Sequence, residues 1–105
     1  MATRMISQTI PLLTDPLVRA GFYPTSDQAL KQIVLDYVDR RIVWSLNKVR
    51  RLEKKHGLTF TEFSQALSGR ASIADEDEWM AWESLLDMLE SWREAKLEIQ
   101  RRDVG

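Results

Sequence analysis

One histidine, four adjacent carboxylates and a cluster of tryptophans are the residues of this chain with chemistry to offer. Their spacing limits what that chemistry is. His56 stands beside Gly57 at the end of a basic helical stretch, where the plain reading is a partly exposed imidazole favoured by the negative end of a helix dipole. It has no nucleophile to activate: there is no cysteine, and no serine sits in a Gly-x-Ser-x-Gly turn. The glycines are scattered at 21, 57, 69 and 105, so no phosphate-cradling loop exists. Asp75, Glu76, Asp77 and Glu78 are consecutive, and consecutive helical residues point in different directions, a poor arrangement for sharing one cation. The sequence predicts no catalytic residue, no metal and no cofactor, and therefore no enzyme.

The tryptophans pose a different question. The stretch DEDEWMAWESLLDMLESW, residues 75–92, holds three of the chain's four tryptophans directly behind those acids. Trp79, Trp82, Leu85, Leu86, Leu89 and Trp92 recur at helical spacing and share one face. Glu78, Glu83, Asp87 and Glu90 border that face, and no base follows until Arg93. Two readings compete. The rings are either the core against a preceding helix, or a capture surface, since tryptophan and methionine favour interface hot spots and a one-sign rim steers a partner of opposite charge. On the second reading Asp75, Glu76, Asp77, Glu78, Trp79, Trp82, Leu85, Leu86, Leu89 and Trp92 bind a basic protein. Clefts that hold RNA are basic, so an acidic aromatic helix suits a ribonuclease.

Charge is divided along the chain. Across 105 residues the net charge is −1, yet residues 1–74 carry eleven bases against six acids, and residues 75–105 carry four against ten. Arg40 to Lys55 contains seven bases and one acid, Glu53; Asp75 to Glu90 contains seven acids and no base. Such asymmetry predicts an electrostatically chosen partner, or two halves that face each other within a chain or across a homodimer. No apolar run approaches the roughly 18 residues that span a bilayer, and the first residues lack the apolar core of a secretory signal. With no cysteine either, a cytoplasmic protein without a membrane partner is expected.

Several elements must position these residues. RMISQTIPLL reads as a short strand or arm limited by Pro11, followed by a brief helix over DPLVRA with Asp15 as cap and Gly21 as stop. Thr25, with Gln28 three places on, opens a long helix; Ser26 is the alternative cap. Leu30, Ile33, Val34, Tyr37, Val38, Ile42, Leu46, Val49 and Leu52 keep helical spacing, and no Gly or Pro intervenes before Gly57. Such a helix is about 45 Å long at 1.5 Å per residue. In GLTFTEFSQALSG, Thr59 and Glu62 form a capping box flanked by Leu58 and Phe63, and Gly69 ends that short helix. ASIA is a linker, and a third helix starts near Asp75, with Lys96 interrupting its apolar seam. The expected fold is all-α or nearly so: two long helices, a short capped helix between them, and a small N-terminal arm or strand.

The N-terminal order of strand, short helix, turn and capped helix is also that of ribbon-helix-helix DNA-binding dimers. In that arrangement Arg4, Ser7 and Thr9 read operator DNA from the strand, while Thr25 and Ser26 hold phosphate at a helix N-terminus. The basic 40–55 run offers sequence-blind phosphate binding, or simply a solvated helix face.

The run AGFYPTSDQALKQIVLDYVDRRI resembles the helix opening common in small bacterial antitoxins of type II toxin–antitoxin pairs. The later KKHGLTFTEFSQALSG, with its K-x-G-x-T-x-x-E-F turn, followed by EDEWMAWESLLDMLESW, is similar to small antitoxin-like proteins too. The resemblance covers residues 20–95. It implies an N-terminal segment (1–24) that dimerises and contacts the operon's DNA, a middle (25–74) carrying the long basic helix and the capped helix, and a partner-binding acidic helix (75–105). The partner it implies is a cognate toxin encoded nearby, often a ribonuclease, blocked by Trp79, Trp82, Leu85, Leu86, Leu89 and Trp92 with Asp75 to Glu78 meeting basic groups. At the DNA end the chain departs from the pattern, since Pro11 interrupts the strand and Arg4 is its sole arginine. The alternative expectation is a self-contained helical dimerisation module with no toxin partner, its acidic and basic helices matched to each other.

Overall fold

The computed structural model describes residues 2–104, and side chains from Thr9 onward. Four helices follow in order: α1 (Ala2–Arg19), α2 (Ser26–His56), α3 (Phe60–Leu67) and α4 (Ile73–Arg101). No strand occurs among the described residues, so the chain is all-α.

At the N-terminus only part of the expected strand or arm falls among residues whose side chains are described. From Thr9 to Leu13 the backbone is helical rather than extended, and the brief helix expected at DPLVRA is the second half of α1. The side chains of residues 1–8, where the rest of the strand or arm was placed, lie outside the described residues. Pro11 and Pro16 are both inside α1. Their fixed φ fits a helix, but in a helix interior each lacks an N–H and crowds the carbonyl four residues back, a cost of about 3 kcal/mol that packing has to offset. The Thr14 hydroxyl, buried, donates to the Ile10 carbonyl at 2.9 Å. Asp15 does not cap a helix; its carboxylate accepts the Ser26 hydroxyl. Gly21 does end α1: at φ 83° it lets its own N–H reach the Val18 carbonyl and the Phe22 N–H reach that of Leu17, the paired bonds of a Schellman turn.

The chain divides into two compact units: residues 1–39 with 96–105, and residues 40–95. In the first, Ala29 and Val38 are buried with Thr14. There α2 runs antiparallel to the end of α4: the Lys31 ammonium donates to the Arg102 carbonyl at 2.7 Å, and Asp39 pairs with Lys96 at 2.7 Å. Lys31 thus serves carbonyls that the end of α4 leaves without partners. Lys96 interrupts the apolar seam because that position faces a carboxylate.

The second unit holds the buried residues Ser45, Val49, Phe63, Trp82 and Leu89. Here α2 ends at Gly57 (φ 66°), whose N–H bonds the Glu53 carbonyl at 2.7 Å. Thr59 and Glu62 form the expected capping box at 3.2 and 2.9 Å, so α3 starts where its local signal says. α4 begins two residues before the expected Asp75, because Ser72 is its cap: the Ser72 hydroxyl accepts from the Asp75 N–H at 3.1 Å and the Asp75 carboxylate from the Ser72 N–H at 3.4 Å.

Candidate interaction surface

Helical periodicity places Trp82 and Leu89 seven residues apart, on the seam of α4 that faces α2. Trp82 is fully buried and Leu89 nearly so. Around Trp82 an aromatic cluster closes: Phe63 at 5.3 Å, Phe60 at 5.6 Å, and His56 stacked at 5.9 Å between ring centroids. His56 also meets the Phe63 edge at 4.4 Å. Trp79 is half-buried, stacked on Phe60 at 5.6 Å, with its indole N–H donated to the Ser64 hydroxyl at 2.7 Å. Trp92 is half-buried as well, beneath the Arg41 guanidinium at 5.8 Å. Leu85 and Leu86 are intermediate. The rings of residues 79, 82 and 92 are thus spent largely on their own chain.

His56 ends α2 and is partly exposed, as its position suggests, and it also joins the aromatic cluster. Its Nε2 lies 3.1 Å from Glu78 Oε1, an ion-pair distance, and Lys55 donates to the same oxygen at 2.8 Å. The bonded Lys55 ammonium first, and His56 second, hold the Glu78 carboxyl below its ordinary range. Glu62 is lowered too, by the Thr59 backbone N–H and then the Thr59 side chain. Three polar atoms of this core, Trp82 Nε1, Ser45 Oγ and His56 Nε2, are buried without a well-formed hydrogen bond, the last although it lies 3.1 Å from Glu78. Such orphans are uncommon and weaken a core.

The four leading acids separate by role. Asp75 caps α4 and Glu78 binds Lys55, whereas Glu76 and Asp77 are exposed. The rim acids read from the sequence, Glu83, Asp87 and Glu90, are joined by Glu94, which the sequence alone did not single out. Glu83, Asp87, Glu90 and Glu94 follow at spacings of four, three and four, all exposed, and none pairs with a base among the described residues. The 3–4 spacing keeps them in one stripe. It was readable from the sequence once the burial of Trp82 and Leu89 fixes which way α4 faces.

Across the seam lies a surface of opposite sign. On α2, Arg41, Trp44, Lys48 and Arg51 follow at spacings of three, four and three. Trp44 is 41% exposed and has two cations over its ring, Arg41 at 4.4 Å and Lys48 at 4.6 Å from its centroid. A groove of about 290 Å³ runs beside them, lined by Lys48, Arg51, Leu52, Ala81 and Leu85. Its floor is apolar and both of its charged lining residues are basic.

The residues expected to meet DNA are placed differently. The side chains of Arg4 and Ser7 lie outside the described residues, and Thr9 is exposed. Thr25 Oγ1 accepts the Gln28 N–H at 3.1 Å, capping α2, and Ser26 is bonded to Asp15. With Asp27 also in the first turn, carboxylates crowd the helix N-terminus that a phosphate would occupy. No group of His, Asp and Glu able to hold a metal occurs among the described residues, and no described helix is long and apolar enough to cross a membrane.

No family model, curated protein or solved structure matches this chain. Its chemistry has to be read from its own surfaces.

Proposed function

We propose that this protein works by binding another protein rather than by catalysis, and that its partner-facing surface is the carboxylate stripe of α4. The single observation that carries this is the stripe's solitude: Glu83, Asp87, Glu90 and Glu94 are exposed and meet no base of their own chain. An exposed one-sign stripe on a long helix raises the encounter rate with a basic partner and selects against acidic ones. The resemblance to type II antitoxins supplies the concrete form, in which the partner is a basic toxin, a ribonuclease by preference, neutralised through this face. The tryptophans support that face from beneath, and Trp82 holds it on α2 and α3 instead of entering the partner.

The alternative is a self-contained helical dimerisation or structural module whose acidic and basic helices are matched within a chain or across a dimer; within the chain it draws support from Glu78 with Lys55 and His56, and from nothing beyond that contact among the described residues of the two runs.

The test is co-purification of the tagged chain, co-expressed with the products of its neighbouring genes. The expected outcome is a stoichiometric complex with a small basic protein that is toxic alone, lost on Glu83→Lys/Asp87→Lys/Glu90→Lys while circular dichroism stays helical. A helical triple variant that still captures the neighbour would remove the stripe from the function.

A further inference from the structure

The basic groove and the acidic stripe carry one step more, independent of any toxin: we propose that they are the two halves of a head-to-tail interface between copies of this chain. On α2 the exposed or half-exposed set Arg41, Trp44, Lys48 and Arg51 repeats at three, four, three; on α4 Glu83, Asp87, Glu90 and Glu94 repeat at four, three, four. At about 1.5 Å per residue the two stripes measure about 15 and 16 Å, so one lies along the other for its whole length. Their charges are complementary, and neither is answered at home: among the described residues Arg41, Lys48 and Arg51 meet no carboxylate, and Arg41 Nε has no acceptor.

One chain cannot bring its own stripes together. Counting about 100° per residue, Ala81, Leu85 and Trp92 leave α4 on one side of the Trp82–Leu89 seam, and Glu83, Asp87, Glu90 and Glu94 leave it on the other. The first side is the one that reaches the basic surface, since Ala81 and Leu85 line the groove and Trp92 meets Arg41. Basic groove and acidic stripe therefore face opposite ways, and a second copy answers one with the other. Such an interface joins unlike patches and leaves one of each exposed at the ends, so association is heterologous and open. Trp44, 41% exposed and in contact with two cations, supplies the aromatic anchor that interfaces favour.

The experiment needs no other protein. Light scattering on the purified chain at about 0.01 M salt, where charges act over roughly 30 Å, should give a mass above that of one 12.2 kDa chain that climbs with concentration. At about 1 M salt, where they act over roughly 3 Å, it should fall back to one chain. Lys48→Gln/Arg51→Gln keeps only the acidic stripe, and Glu83→Gln/Asp87→Asn/Glu90→Gln keeps only the basic groove. Each should be a single chain, and an equimolar mixture should form a pair and grow no further. A wild-type chain that stays single at low salt overturns the proposal and leaves the groove to a different acidic protein. So does a closed dimer of fixed mass, a variant that still associates alone, or a mixture that does not pair. A toxin captured or missed in co-purification changes none of these readings.

Discussion

Ser45 and Trp82 show how much a single atom decides in a core this small. Ser45 is fully buried on α2, and its hydroxyl has no partner. A buried polar group without a bond costs about 1–3 kcal/mol. Ser45→Ala is therefore expected to raise the melting temperature, and a fall would show that the hydroxyl finds a partner in solution. Trp82 is the opposite case. Truncating a buried aromatic to alanine costs about 3–5 kcal/mol, a large part of the total stability of a domain this size. Trp82→Ala is thus expected to unfold the second unit, a loss to be read by thermal denaturation. Glu78 adds a pH dependence with a definite sign. Its carboxyl is held below the ordinary value of 4.5 by Lys55 and then His56, so folding gains from it above that value and loses the gain as pH falls through the lowered one. Because Lys55 is mostly exposed, the gain is no more than about 1 kcal/mol. Glu78→Gln should flatten acid denaturation below pH 4.5 and leave the curve near neutrality only slightly lower.

At the scale of elements, the helices whose signals are local were legible and the rest were not. α3 is the clearest: Thr59, Glu62, Gly57 and Gly69 state its limits within a dozen residues. Thr59→Ala should cost about 1 kcal/mol by chemical denaturation, the usual worth of such a cap. α2 was readable in length and in its Thr25 cap. The start of α4 is legible to within two residues, and its cap is less so because Ser72 and Asp75 make a capping box with aspartate in the glutamate's position. The N-terminal arm is the least legible element, because the side chains of residues 1–8 lie outside the described residues. Its end is legible: Gly21 closes α1 with the paired bonds of a Schellman turn. Of the surface, the tryptophan stripe was visible at once, but periodicity alone does not say whether a stripe faces a partner or its own chain. The aromatic cluster around Trp82 needed α3 folded back upon it, which no spacing within α4 announces. The helix-end position of His56 is legible, but its ring contacts with Phe63 and Trp82 and its pairing with Glu78 are not, since these partners are distant in sequence.

For the molecule as a whole, the division of charge along the chain becomes a division of surface. The basic run and the acidic run of the sequence share one short ion-paired contact at Glu78 and otherwise go unmatched, which is why both proposals rest on what lies outside the chain. The seam of α4 also limits how the gene can change in length. One residue added between Trp82 and Leu89 would turn everything after it by about 100°. Met88 would then stand where Leu89 packs, Ser91 where Trp92 lies under Arg41, and Ala95 where Lys96 answers Asp39. The same residue added between Gly69 and Ser72 would turn nothing that matters. Insertions and deletions are therefore tolerable in the linker before α4 and ruinous inside the helix, so this protein's descendants can differ in loop length while keeping α4 to the residue.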